Sequence, residues 1–102
     1  MKSIKDINDV RNGELVAVVA KNGNRDVYMF NSYFEFEGKK FLSFHAYLDY
    51  DGEVVDEPCA TLYDTSFDTI EEPTEEEIEM FESQLNEKGL YFDEESGVLA
   101  GY

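Results

Sequence analysis

The apolar positions of this chain come in short runs separated by turn signals. Glu14 to Ala20 reads ELVAVVA, a β-branched run bounded by turns, which predicts a strand. Asn12-Gly13 before it reads as a turn, and Lys21-Asn22-Gly23-Asn24 after it as a hairpin turn that needs positive φ. Arg25 to Glu37 is a long aromatic segment in which Tyr28 and Phe30 share one face and Phe34 and Phe36 share a face further along. Asn31-Ser32 between the two pairs marks a bulge or bend. After the Glu37-Gly38-Lys39 turn, Phe41 to Tyr50 alternates. Leu42, Phe44, Ala46, Leu48 and Tyr50 are expected on one face, and Phe41, Ser43, His45, Tyr47 and Asp49 on the other.

Asp51-Gly52 is a further hairpin signal, followed by a short strand near Glu53–Val55 that Pro58 ends. Ala60-Thr61-Leu62-Tyr63 reads equally as a strand or a single helical turn. Residues 3–13 read as a lead-in, with Ser3 and Asp6 in a capping pattern. Glu71-Glu72-Pro73 is the clearest boundary. Thr74 then opens a helix with Glu77 three residues on, a capping box, and Ile78, Phe81 and Leu85 form its apolar stripe. Lys88 and Gly89 are stop signals. Leu90-Tyr91-Phe92 and Val98-Leu99 flank Asp93 to Gly97 and read as a small terminal hairpin. The expected fold is α+β, in one domain over residues 1–102. Residues 1–70 would form a small antiparallel curled sheet or an SH3-like barrel, and 71–102 an acidic helix packed on it and a short hairpin.

Charge changes the picture. Residues 1–48 carry six acids and seven bases, whereas residues 49–102 carry eighteen acids and one base, Lys88, for a formal net charge of −16 over the 102 residues. So acidic a chain disfavours direct binding to nucleic acid or anionic lipid, because such partners need lysine and arginine to displace counterions. It favours basic protein partners, among which nucleic-acid-handling proteins are the largest class. A halophilic surface would spread its acid over both halves, and the first half is balanced. No apolar run is long enough to span a membrane. The opening Met1-Lys2-Ser3-Ile4-Lys5-Asp6 has no signal-peptide core, and the single Cys59 fits a reducing compartment. Together these predict a cytoplasmic protein.

Two stretches carry a resemblance. One is the strand opening Asn12-Gly13-Glu14-Leu15-Val16-Ala17-Val18. The other is the tail: Pro73-Thr74-Glu75-Glu76-Glu77, Phe81, Leu85, Lys88-Gly89, Tyr91-Phe92-Asp93-Glu94-Glu95 and Leu99. The chain resembles a group of small uncharacterised proteins common in bacteriophages and mobile elements of gut bacteria, most specifically over its last thirty or so residues. In that group the turn after the aromatic-Asp pair is usually more basic; here Glu94-Glu95 stands in its place. The resemblance implies a phage or mobile-element source and no reaction.

Candidate chemistry is confined to acid. The helix spans about 21 Å and carries Glu75, Glu76, Glu77, Glu79, Glu82 and Glu87, one charge per about 3.5 Å, near the 3.4 Å of one DNA strand. Glu75, Glu79 and Glu82 fall on one stripe, Glu76 and Glu87 on a flank, and Glu77 in the cap. The expected partner-binding residues are Glu75, Glu76, Glu79, Glu82 and Glu87, with Asp93, Glu94 and Glu95 of the hairpin and Asp49 and Asp51 of the β-turn. The alternative is a solvated face that keeps a small protein soluble.

Asp49-Tyr50-Asp51-Gly52-Glu53 has its glycine at position four rather than six and reads as a hairpin, not a calcium loop. One His and one Cys cannot supply a zinc set, and His45 and Cys59 have no signalled third group for nucleophilic catalysis. No catalytic residue, metal or cofactor is expected. Tyr33, Tyr47 and Tyr50 are the tyrosines expected to be exposed at an interface.

The expectation is thus a non-enzymatic interaction protein that binds a basic protein surface, in its sharper form a DNA mimic inhibiting a host nucleic-acid-binding protein. The alternative is a structural or assembly accessory protein using an aromatic sheet face or edge strand. Oligomeric state is not legible.

Overall fold

The computed structural model describes residues 9–48, 52–56, 60–63 and 67–102. The capping pattern at Ser3, the turn at Asp49–Asp51, Pro58 and Cys59 lie outside them. Six strands form one antiparallel sheet: β1 (Leu15–Val19), β2 (Arg25–Phe36), β3 (Lys39–Leu48), β4 (Val54–Val55), β5 (Ala60–Tyr63) and β6 (Thr69–Glu71). Their order is β4-β3-β2-β1-β6, with β5 also paired to β3. β3 is long enough to hold both neighbours on one edge, β5 against Phe41–Phe44 and β4 against Tyr47–Leu48. After β6, helix α1 runs from Glu75 to Glu87, and β7 (Leu90–Asp93) and β8 (Val98–Gly101) make a separate hairpin.

The protein is therefore α+β with an antiparallel sheet and one helix, but the sheet is not closed. β4 and β6 end the path on opposite sides, so among the described residues the sheet does not close into a barrel. The two end strands are short, two residues in β4 and three in β6. The ambiguous segment Ala60–Tyr63 is a strand, because β3 offers it an unpaired edge.

Both faces of the sheet are buried, each against its own core. Alternation along β1 and β2 sends Val16, Val18 and Phe30 to one face, where they meet Val10, Leu42, Phe44 and Ile70. Val27 and Met29 go to the other, where Ala46 and Val54 join Phe81 and Leu85 of the helix. Leu90, Phe92 and Leu99 of the terminal hairpin pack against this second core.

The expected single face for Leu42, Phe44, Ala46 and Leu48 is overturned. Leu42 and Phe44 lie in the first core, Ala46 and Leu48 in the second. The cause is a pair of irregularities between β2 and β3. Phe30 pairs with Phe44, leaving His45 as the extra residue on β3, and Ser32 pairs with Ser43, leaving Asn31 as the extra residue on β2. Each extra residue shifts the period-2 phase by one. The second compensates the first, so the register resumes through Phe36 and Lys39. Asn31-Ser32 was legible as a bulge; its partner at His45 was not.

The helix ends follow the sequence signals. Thr74 Oγ1 accepts from the Glu77 N–H at 3.1 Å and Glu77 Oε1 accepts from the Thr74 N–H at 2.7 Å, a complete capping box. Lys88 is the C-cap and Gly89 follows with φ of +69°, a conformation that costs glycine little. The Gly89 carbonyl then accepts from the Tyr102 N–H at 2.9 Å, which ties the last residue to the end of α1.

Candidate functional site

The acids of the second half divide into those the fold uses and those it leaves in solvent. Arg25, at the start of β2, uses two carboxylates. Its Nε and Nη2 donate to Glu77 Oε2 and Oε1, both at 2.9 Å, while Nη1 donates to Glu71 Oε1 at 2.9 Å. Nη2 also donates to the Glu72 carbonyl at 2.9 Å. The bidentate fork matches guanidinium to carboxylate, and it joins β2, β6 and the first turn of α1. The hydrogen bonds from Arg25 hold the Glu77 carboxyl below the usual glutamate range, against the opposing effect of burial. Bonding to Glu77 likewise raises the Arg25 guanidinium above its ordinary value. Sequence reasoning placed Glu77 in the cap; the role of Arg25 carries no local signal.

The other helix glutamates, Glu75, Glu76, Glu79, Glu82 and Glu87, are exposed. At about 100° per residue, Glu75, Glu79, Glu82 and Asn86 fall on one flank of α1 within about 60° of arc, with Phe81 and Leu85 inward of them. Glu76 and Glu87 lie about 100° further round the helix, beside Met80, which borders Gly52 before β4. The five expected helix residues are thus split three and two. Among the described residues, no basic side chain pairs with Glu75, Glu76, Glu79 or Glu82, while Glu87 accepts from Gln84 Nε2 at 3.2 Å.

In the hairpin turn, Glu94 and Glu95 are exposed. Asp93 is half-buried, and its Oδ1 accepts from the Glu95 N–H at 3.0 Å, so this carboxylate serves the turn. Asp49 and Asp51 fall outside the described residues.

An open cleft of about 280 Å³ runs beside the Glu82 flank. Its walls are Leu15 and Met29 of the sheet, Phe81 and Leu85 of α1, and Leu90 and Phe92 of β7; Glu82, Asn86 and Tyr91 stand among the lining. Gly13 completes it for a steric reason. With φ of +91°, a Cβ there would lie 2.5 Å from the Phe92 ring, so only glycine lets the aromatic wall close onto the turn.

His45 is buried beside this region, its ring centroid 5.6 Å from that of Phe92. Its Nε2 is 2.7 Å from Asn12 Oδ1, and Asn12 Nδ2 donates to the Gly97 carbonyl at 2.9 Å. Since the Asn12 amide nitrogen is committed to Gly97, its oxygen takes the His45 N–H. Burial pushes the imidazole below its ordinary value. The chain β3–Asn12–Gly97 anchors the terminal hairpin. Among the described residues, no three or more His, Cys, Asp and Glu side chains are placed to hold a metal ion, and no helix is long and apolar enough to cross a membrane.

The exposed aromatics differ from those expected. Tyr33 and Tyr47 are half-buried, and Tyr50 is outside the described residues. Instead Phe34, Phe36 and Tyr63 are 41%, 61% and 49% exposed. Phe34 stacks on Phe41 at 5.4 Å and Phe41 meets Tyr63 at 4.8 Å, a row across β2, β3 and β5 with Lys39 Nζ 5.6 Å from the Tyr63 ring.

Against this geometry, no known protein family, curated protein or solved structure matches the chain.

Proposed function

We propose that this is a non-enzymatic interaction protein, of phage or mobile-element origin and acting in the cytoplasm, that binds a basic protein surface through the Glu75–Glu79–Glu82 flank of α1. The observation that carries the reading is the contrast between spent and unspent acid. Glu71 and Glu77 are engaged by Arg25, whereas the three flank glutamates stand in solvent at i, i+4 and i+7 without a cation among the described residues. Like charges at such spacings cost about 0.2–0.5 kcal/mol per pair. The helix N-terminus offsets the cost for Glu75 but not for Glu82. A basic partner turns that cost into attraction.

In its sharper form the protein mimics a nucleic-acid backbone and blocks a host nucleic-acid-binding protein. The flank alone is sparser than a DNA strand, with gaps of about 5 Å along the axis against 3.4 Å. In this form Glu94 and Glu95 of the hairpin turn lengthen the row. The test is binding to a basic nucleic-acid-binding domain across a salt series. Expected is a steep loss of affinity with rising salt, and further loss in the Glu75→Gln, Glu79→Gln, Glu82→Gln triple variant. Affinity unchanged by salt, or unchanged in the triple variant, refutes the reading.

The aromatic row favours a second reading, in which the protein is an assembly accessory that associates through the β2–β3–β5 face. Oligomers that persist at high salt and are lost on Phe34→Ser with Phe36→Ser would select it.

A further inference from the structure

The cleft beside the helix flank has a composition that selects among ligands. Its walls are aliphatic and aromatic, and three of them, Leu15, Leu90 and Phe92, are only half-buried and so are reachable from outside. Its lining includes Glu82, whose carboxylate no cation engages among the described residues, and Asn86, one turn further on. Asn86 lies in the last turn of α1, where the helix dipole adds negative potential to that of the carboxylate. A volume of about 280 Å³ lies at the lower edge of small-molecule sites and fits one long side chain. An acid is repelled from such a place, and a bare cation gains nothing from the walls. A cation on an alkyl stem satisfies both parts, as lysine and arginine do when the stem lies on apolar surface and the head stays at a polar rim.

We propose that the cleft between α1 and β7 is an anchor site for a single alkyl cation, the side chain of an arginine or lysine on the basic partner, its stem against Leu15, Leu85 and Leu90 and its head at Glu82. The proposal rests on the acidic-flank reading for the partner's identity, and on the cleft alone for the chemistry. It gives the flank a fixed point: Glu75 and Glu79 attract diffusely, and the cleft sets the register.

The probe is n-butylguanidinium, titrated into the full chain and followed by methyl resonances of Leu15, Met29, Leu85 and Leu90. Saturable shifts confined to these methyls are expected, with a dissociation constant of about millimolar for so small a ligand. Guanidinium alone and n-butanol alone should give no saturation in the same range. Glu82→Gln should weaken binding about two- to fivefold, the usual worth of an exposed ion pair. Asn86→Phe, at an exposed position, should fill the cleft mouth and abolish binding with the fold retained by circular dichroism. Absent methyl shifts, or binding indifferent to Glu82→Gln, overturn the anchor. A basic polypeptide that binds wild type and Asn86→Phe equally overturns it too, while leaving the acidic-flank reading standing. Methyl shifts with butylguanidinium but no polypeptide binding overturn the flank reading alone.

Discussion

Replacing Arg25 by alanine removes four hydrogen bonds, three of them to carboxylates whose side chains are only 13% and 22% exposed. The loss is larger than that of an ordinary surface pair, because Glu71 and Glu77 then face each other without a cation at the junction of β6 and α1. A charge-assisted hydrogen bond contributes about 1.5–3 kcal/mol when sheltered and an exposed pair less than about 1. Arg25 is itself 27% exposed, which puts the variant at about 2 kcal/mol destabilised. For a domain of this size that is a fall of about 8–16 °C in Tm, read by far-UV circular dichroism.

The pH dependence supplies an independent check. The Glu77 carboxyl is held down in the fold, so its contribution is full above the ordinary glutamate value near 4.3 and drains away as pH falls through the folded value. The gap between wild type and Arg25→Ala should therefore narrow below about pH 4. Asp26, whose carboxyl burial shifts upward, is present in both proteins and cancels in the difference. Arg25→Lys should recover part of the loss, since it restores charge without the fork. A Tm for Arg25→Ala within about 2 °C of wild type, or a gap that widens in acid, refutes the clamp.

Gly13→Ala meets both a left-handed backbone and the Phe92 ring, and should cost about 2–4 kcal/mol by urea denaturation. Thr74→Ala removes the hydroxyl of the capping box and should cost about 1 kcal/mol, with Thr74→Ser near wild type in the same assay. His45 is held neutral by burial, so unfolded chains gain the extra proton and stability should fall as pH drops through about 6.5, levelling below the folded value. Urea midpoints between pH 7.5 and 5 should show this slope, and His45→Gln should flatten it. An NMR titration of the His45 ring in the native state should give a midpoint below 6.5.

Much of the local structure was legible because it is encoded within a few residues. The capping box at Thr74 and Glu77, the stop at Lys88-Gly89 and the terminal hairpin with Gly97 at φ of +72° each need only a short window. Features set by distant partners were not. The pairing of β6 with β1 and of β5 with β3 depends on which edges stay free after the β1–β3 meander forms. The bulge at His45 left no mark in the alternating pattern, since Phe44 and Ala46 are apolar on either face. For the site, the acidic helix was plain but its division was only partly so: the 100° repeat separates the flanks, yet the cleft exists only once β7 folds back along α1. Arg25 was the costliest omission. Its partners Glu71 and Glu77 lie 46 and 52 residues further along the chain, beyond the reach of any local pattern.

The sheet face made by Val27, Met29, Ala46 and Val54 is covered by Phe81 and Leu85 of the helix and by the terminal hairpin. On a ribosome adding about 5–20 residues per second, the roughly fifty residues from Leu48 to Leu99 take about 3–10 s to emerge. Ile70 completes the first core partway through that interval, while the second stays uncovered until Phe81 and Leu85 follow. The acidic half is thus the lid that finishes the fold, and a chain stalled before residue 81 should be a client for holdase chaperones.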